Sequence, residues 1–194
     1  PWTRGGDWSD GGGGVAGHGT HVAGSAVGSG RNSGSNPAAH SYAGSFAGVA
    51  PEAGLIIQAL MSEDHRALST PADLKLLFEP AHADGARIHT NSWGHRTGGT
   101  ALNPTYGGYD ASARQVDEFM WLNPGSLLLF SAGNNAVDAD QNGVIDLDQV
   151  SSPGTAKNAL TVGAAEHNRP PGEGFGGLTN YKWGDIGWGS PTKY

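Results

Sequence analysis

Short apolar runs that alternate with stretches of helical periodicity constrain this chain more than any other feature. The runs are residues 54–60 (GLIIQAL), 86–94 (ARIHTNSWG), 126–135 (SLLLFSAGNN) and 158–164 (NALTVGA). Their brevity suits strands, and 54–60 reads as one buried on both faces. Between them, residues 15–27 are Ala-rich and predict a helix. In the segment from 69 to 85, Thr70 stands where a cap belongs, and Pro71 and Asp73 suit a first turn. Leu74, Leu77, Phe78 and Ala81 then follow at helical spacing, Gly85 marks the stop, and Pro80 predicts a kink. Residues 111–121 predict another helix, with Val116, Phe119 and Met120 on one face. Strands alternating with helices imply an α/β domain with a parallel sheet. In such sheets functional side chains gather beyond the carboxyl ends of the strands, which is where NSWG (91–94) and SAGNN (131–135) fall.

Composition excludes several classes. The chain has 194 residues, enough for a single domain with a core, and we treat 1–194 as one unit. The 33 glycines are aperiodic, so tight turns and close backbone approaches explain them better than a collagen repeat. A net charge of −7 argues against a nucleic-acid partner. No apolar run is long enough to cross a membrane, which argues against a membrane partner. The chain has no cysteine, which removes disulfides and thiolate zinc sites. Residues 1–14 and 31–48 read as loops, and the turn-rich ends suggest a piece of a longer domain.

Three places carry chemistry. In GHGTHVAGS (17–25), glycines flank His18, so a substrate and the backbone can come close to its ring, as a general base requires. His18 could equally be structural, or half of a metal pair with His21. The i, i+3 spacing without an intervening Glu is not the helical zinc arrangement. Asn134 follows Ser131-Ala132-Gly133 at a strand end, where its amide could donate to a developing oxyanion or simply fill a turn. The stretch DADQNGVIDLDQ (138–149) has the character of a calcium loop. Asp138, Asp140 and Asn142 take its first, third and fifth places, Gly143 the sixth, and Val144 offers a carbonyl at the seventh. Asp146 follows at the ninth, and Asp148 sits next to a final Gln149 where a bidentate Glu is usual. A solvated acidic loop is the alternative. His40, His65, His82, His89, His95 and His167 show no ligand spacing and read as surface or loop residues.

GHGTHVAGS, GVAPEAGLI, NSWG, SAGNN and SPGTAKNALTVGA, in that order, resemble the subtilisin-like serine proteases over essentially the whole chain. ARIHTNSWG and the last stretch are similar to the branch of oxidatively stable alkaline proteases. The resemblance implies a three-layer fold around a central parallel sheet, incomplete at both ends of this chain. It implies His18 as the triad base and Asn134 as the oxyanion donor. Ser92-Trp93-Gly94 would be the rail that pairs with an extended polypeptide substrate, and Ser131-Ala132-Gly133 the floor of the pocket beside it. His21 would be a structural neighbour. The family's Gly-Thr-Ser-Met-Ala type motif and its Asp-Thr/Ser-Gly motif are absent from these 194 residues. The chain alone is therefore expected to be inactive and poorly soluble, with the rest of its own peptidase domain as partner. A secreted, extracellular, calcium-stabilised endopeptidase is the leading expectation. A non-catalytic peptide-binding homologue and a calcium-binding structural module are the alternatives.

Overall fold

The computed structural model describes residues 18–32, 44–60, 68–100, 104–134 and 146–163. The chain divides into two compact units, residues 1–72 and 73–194.

In the first unit, helix α1 spans His18–Val27. Its last turn leaves carbonyls without helical partners, and the returning chain at 48–50 satisfies them. Val49 N–H donates to the Ser25 carbonyl at 3.1 Å and Ala50 N–H to that of Ala26 at 2.8 Å. The approach is close enough that a Cβ on Gly48 would lie 2.7 Å from the Gly24 carbonyl oxygen. Here the glycine is required by contact. Residues 54–60 correct the sequence reading, because they form no strand. Leu55, Ile56 and Ile57 are exposed. Apolar character alone does not make a strand, which exists only when a neighbour accepts its backbone hydrogen bonds.

The second unit holds helix α2 (Lys75–Ala83), strands β1 (Ile88–Asn91), β2 (Gly98–Gly99) and β3 (Pro104–Thr105), helix α3 (Ala111–Leu122), and strands β4 (Leu127–Ser131) and β5 (Leu160–Val162). Strands β1, β4 and β5 form a parallel sheet in the order β1-β4-β5, with Thr90 opposite Leu129 and Leu129 opposite Leu160. Strands β2 and β3 form a small antiparallel pair. The α/β architecture with a parallel sheet is therefore present.

Helix α2 starts later than its sequence suggests. Thr70 is not its cap, and Leu74 occupies that position without a side-chain bond. The Asp73 carboxylate instead accepts from Lys75 N–H at 3.0 Å. Pro80 does not end the helix, which runs three residues further. The stop is as expected. Gly85 has φ +100°, and Ala86 N–H reaches back to the Ala81 carbonyl at 2.9 Å, a glycine-terminated closure. Leu74, Leu77, Phe78 and Ala81 are all buried. Helix α3 buries Ala113, Val116 and Phe119, and Met120 lies at the edge.

Both helices pack on one face of the sheet. Phe78 meets Phe119 at 5.3 Å between centroids and the His89 ring edge-on at 5.1 Å, above the buried Leu128 and Phe130. His89 is thus a core-facing strand residue rather than a loop residue. Burial depresses its pKa, and the hydrogen bond with Asn91 opposes this only in part. His82 likewise belongs to α2 and lies edge-on to Phe119 at 6.0 Å. On the opposite face Ile88, Leu127, Leu160 and Val162 are exposed among the described residues.

Candidate active site

The candidate site grows from the carboxyl ends of β1 and β4. Strand β1 ends at Asn91, a buried amide. Its Nδ2 donates to the Leu129 carbonyl at 3.1 Å and to that of His89 at 3.3 Å. The side chain therefore ties β1 to β4 where the chain leaves the sheet, and fixes the direction of Ser92-Trp93-Gly94. Trp93 turns its ring edge-on to Phe130 at 5.5 Å. That aromatic anchor leaves Ser92 and Gly94 exposed on either side of a half-buried Trp93.

Strand β4 ends at Ser131. Ala132 N–H continues the ladder to the Val162 carbonyl at 2.9 Å. Gly133 then takes φ +102°, a conformation that strains side chains other than glycine. A Cβ there would also lie 2.3 Å from Ser151 Oγ. Both the dihedral and the neighbour therefore demand glycine, and the turn presents Asn134 exposed at its end.

Ser92-Trp93-Gly94 and Ser131-Ala132-Gly133 meet at Ser151, just before the SPGTAKNALTVGA stretch. Ser151 N–H donates to the Ala132 carbonyl at 3.0 Å. A Cβ on Gly94 would lie 2.8 Å from Ser151 Cβ. One residue on, His95 and Ser152 exchange two backbone hydrogen bonds, His95 N–H to Ser152 O at 2.8 Å and Ser152 N–H to His95 O at 3.0 Å. Ser151 and Ser152 thus form a wedge between two segments almost forty residues apart in sequence.

Asp110, the N-cap of α3, was also missed. Its Oδ1 accepts from Ala113 N–H at 3.1 Å and from Ser152 Oγ at 2.5 Å, and its Oδ2 faces His95 Nε2 at 2.9 Å. An Asp directly before a helical run was the available signal. Partial burial by itself raises the Asp110 pKa. The bonds from Ser152, Ala113 and His95 together outweigh burial and hold it below the usual carboxylate value. This contribution to stability is present above the ordinary Asp range and fades only as pH falls through the depressed value. Serine, histidine and aspartate meet here, but not as a catalytic triad. The aspartate stands in the middle, so the His95 ring bonds the carboxylate rather than the serine hydroxyl, and Ser152 is 0% exposed.

His18 opens α1 in the first unit and is exposed, as is His21 one turn on. Of the candidate metal ligands, Asp138, Asp140, Asn142 and Val144 lie outside the described residues. Asp146 and Asp148 lie within them. Asp148 has φ +62° and packs against Gly107, whose Cβ would lie 2.5 Å from its Cα. Gly107 N–H pairs with the Val150 carbonyl at 2.8 Å, so the end of the acidic stretch is pinned to the body of the unit. His40, His65 and His167 also lie outside the described residues.

Residues 2–182 match the model of the subtilase family. Among curated proteins, the chain is 35% identical over 152 residues to the serine protease/ABC transporter B family protein tagB of Dictyostelium discoideum, covering 78% of this chain and 7% of that protein. It is 32% identical over 153 residues to tagD of the same organism, again 78% of this chain and 7% of the relative. To tagA it is 28% identical over 172 residues, 89% of this chain and 9% of the relative. The chain thus spans less than a tenth of the length of these relatives. With the match running through nearly all of its residues, the chain belongs to the subtilase family, a family of serine proteases.

Proposed function

We propose that this chain is the central portion of a serine endopeptidase that cleaves extended polypeptides by acyl transfer, within the branch of oxidatively stable alkaline proteases. The observation that carries this reading is the junction at Ser151. The rail at Gly94 and the floor at Gly133 both close on that residue, which leaves Asn134 exposed beside them. A substrate would add itself as a strand to Ser92-Trp93-Gly94, with backbone hydrogen bonds supplying affinity. Its side chain would enter above Ser131-Ala132-Gly133. His18 would take the proton from the attacking hydroxyl and return it to the leaving amine. Asn134 would donate to the oxyanion that forms in between.

The nucleophile and the orienting carboxylate would come from outside these 194 residues. A fluorophosphonate probe tests this directly. The full-length protein should label stoichiometrically, and the 194-residue chain should not. Stoichiometric labelling of the isolated chain would place the nucleophile within it and overturn this assignment. Peptide binding by an unlabelled full-length protein would favour a non-catalytic homologue.

Calcium is the cofactor whose chemistry suits residues 138–149. Asp138, Asp140, Asn142, Asp146 and Asp148 offer carboxylate or amide oxygens, and Val144 offers a carbonyl. The loop follows Asn134 directly, so a bound ion would stiffen the turn that carries the oxyanion donor. Millimolar calcium outside cells would suit a loop lacking its final Glu, in keeping with a secreted enzyme. Isothermal titration of the full-length protein should show calcium binding that Asp138→Ala weakens at least tenfold. Unchanged binding in that variant would remove the loop from the assignment.

A further inference from the structure

We propose that Asp110 is a positioning residue for peptide binding, a strap that holds the rail against the pocket wall. The inference rests on the peptidase reading above and extends it to a residue with no place in the catalytic machinery.

Among the described residues, the backbone after the rail is hydrogen-bonded to the Ser151–Ser152 segment through one antiparallel bridge, His95 with Ser152. Two backbone hydrogen bonds are a weak joint between loops, since each replaces a bond to water and adds little net. The side chains of the same two residues reinforce it. His95 Nε2 and Ser152 Oγ converge on the two oxygens of one carboxylate, at 2.9 and 2.5 Å. The carboxylate is itself held, because it caps α3 through Ala113 N–H. That helix is anchored in the core by Ala113, Val116 and Phe119. The strap therefore refers the rail and the wall to one rigid element. Ser152 is fully buried, so water cannot readily take the place of the carboxylate. Tightening at Ser152 carries to Ser151, the residue in contact with both Gly94 and Gly133. Asp110 would thus set the width between rail and floor, the dimension an extended peptide must match. It touches no reacting atom.

The capping role and the strapping role of Asp110 are separable. Serine is as good an N-cap as aspartate, but its hydroxyl is too short to span from the cap to both His95 and Ser152. In the full-length protein, Asp110→Ser should keep the cap but lower the melting temperature by a few degrees, because the buried Ser152 hydroxyl loses its partner, and raise KM for an extended peptide substrate about tenfold. The kcat should stay within about threefold, because the strap acts on binding rather than on the reacting groups. Asp110→Ala should show the same KM and a still lower melting temperature, because the cap at Ala113 is lost as well. Hydrogen exchange gives a readout independent of turnover. The His95 and Ser152 amides should exchange at least tenfold faster in Asp110→Ser, while amides within α3 keep their protection. A wild-type KM, or unchanged exchange at these two amides, in an otherwise active Asp110→Ser protein would overturn the strap alone. A wild-type protein that neither cleaves nor binds peptides would overturn the peptidase reading, and the strap with it.

Discussion

Replacing His18 with alanine in the full-length protein is expected to lower kcat on a chromogenic peptide by about a millionfold, the loss associated with removing the base from a serine-protease triad. His18 is the first residue of α1 and is exposed, so its removal disturbs no packing. The melting temperature should therefore stay near that of wild type. Without a base, the serine hydroxyl must attack with its proton still attached. A residual rate of about a thousand to ten thousand times that in water should survive, supported by binding and by the oxyanion donor. His21→Ala is the internal control, because it removes an exposed ring one turn away on the same helix. Its effect should be under tenfold. A loss below about a hundredfold for His18→Ala would be too small for a triad base and would reassign the residue.

Removing the side-chain amide at Asn134 should cost about 100- to 1000-fold in kcat, near 3 to 4 kcal/mol, with KM unchanged. That split follows from where the charge appears. The carbonyl oxygen of a bound peptide carries little charge, whereas the oxygen of the tetrahedral intermediate carries nearly a full one. A donor aimed at the second position stabilises the transition state selectively. Asn134→Ala removes the donor, and Asn134→Asp keeps the shape while replacing it with a charge of the wrong sign. The aspartate variant should therefore be at least as slow. Steady-state kinetics would decide the matter, since a rise in KM with kcat preserved would make Asn134 a ground-state binding residue. In the His18→Ala background, Asn134→Ala should lower the surviving rate further, because the oxyanion donor supports that remainder.

Much of this molecule is legible in its sequence because local rules act on neighbouring residues. The spacing of Leu74, Leu77, Phe78 and Ala81 marked the buried stripe of α2, and Gly85 its end. The runs containing Ile88–Asn91, Leu127–Ser131 and Leu160–Val162 contained the three strands of the parallel sheet. Local rules failed where the deciding partner is distant. Residues 54–60 have the composition of a strand, yet they form none, since pairing is not a property of one segment. Thr70 and Pro71 have the signature of a helix start, but α2 begins at Lys75. The buried Leu74 receives its backbone partner from Gln115 Oε1 of α3, at 2.9 Å. A side chain of another helix therefore serves that N–H group, and no local pattern reports it.

The sequence by itself determined the helices and parallel strands of the α/β unit to within a few residues, the turn that follows Ser131, and the short motifs that tie the chain to the subtilases. It could do so because periodicity, turn chemistry and motif spacing are written within a few residues of one another. Only the tertiary structure decided that Ser151 closes on both Gly94 and Gly133, and that one carboxylate, Asp110, gathers His95 and Ser152. Those contacts join segments some fifteen to sixty residues apart in the chain, and hydrogen bonds of this range depend on where the sheet and α3 bring the backbone.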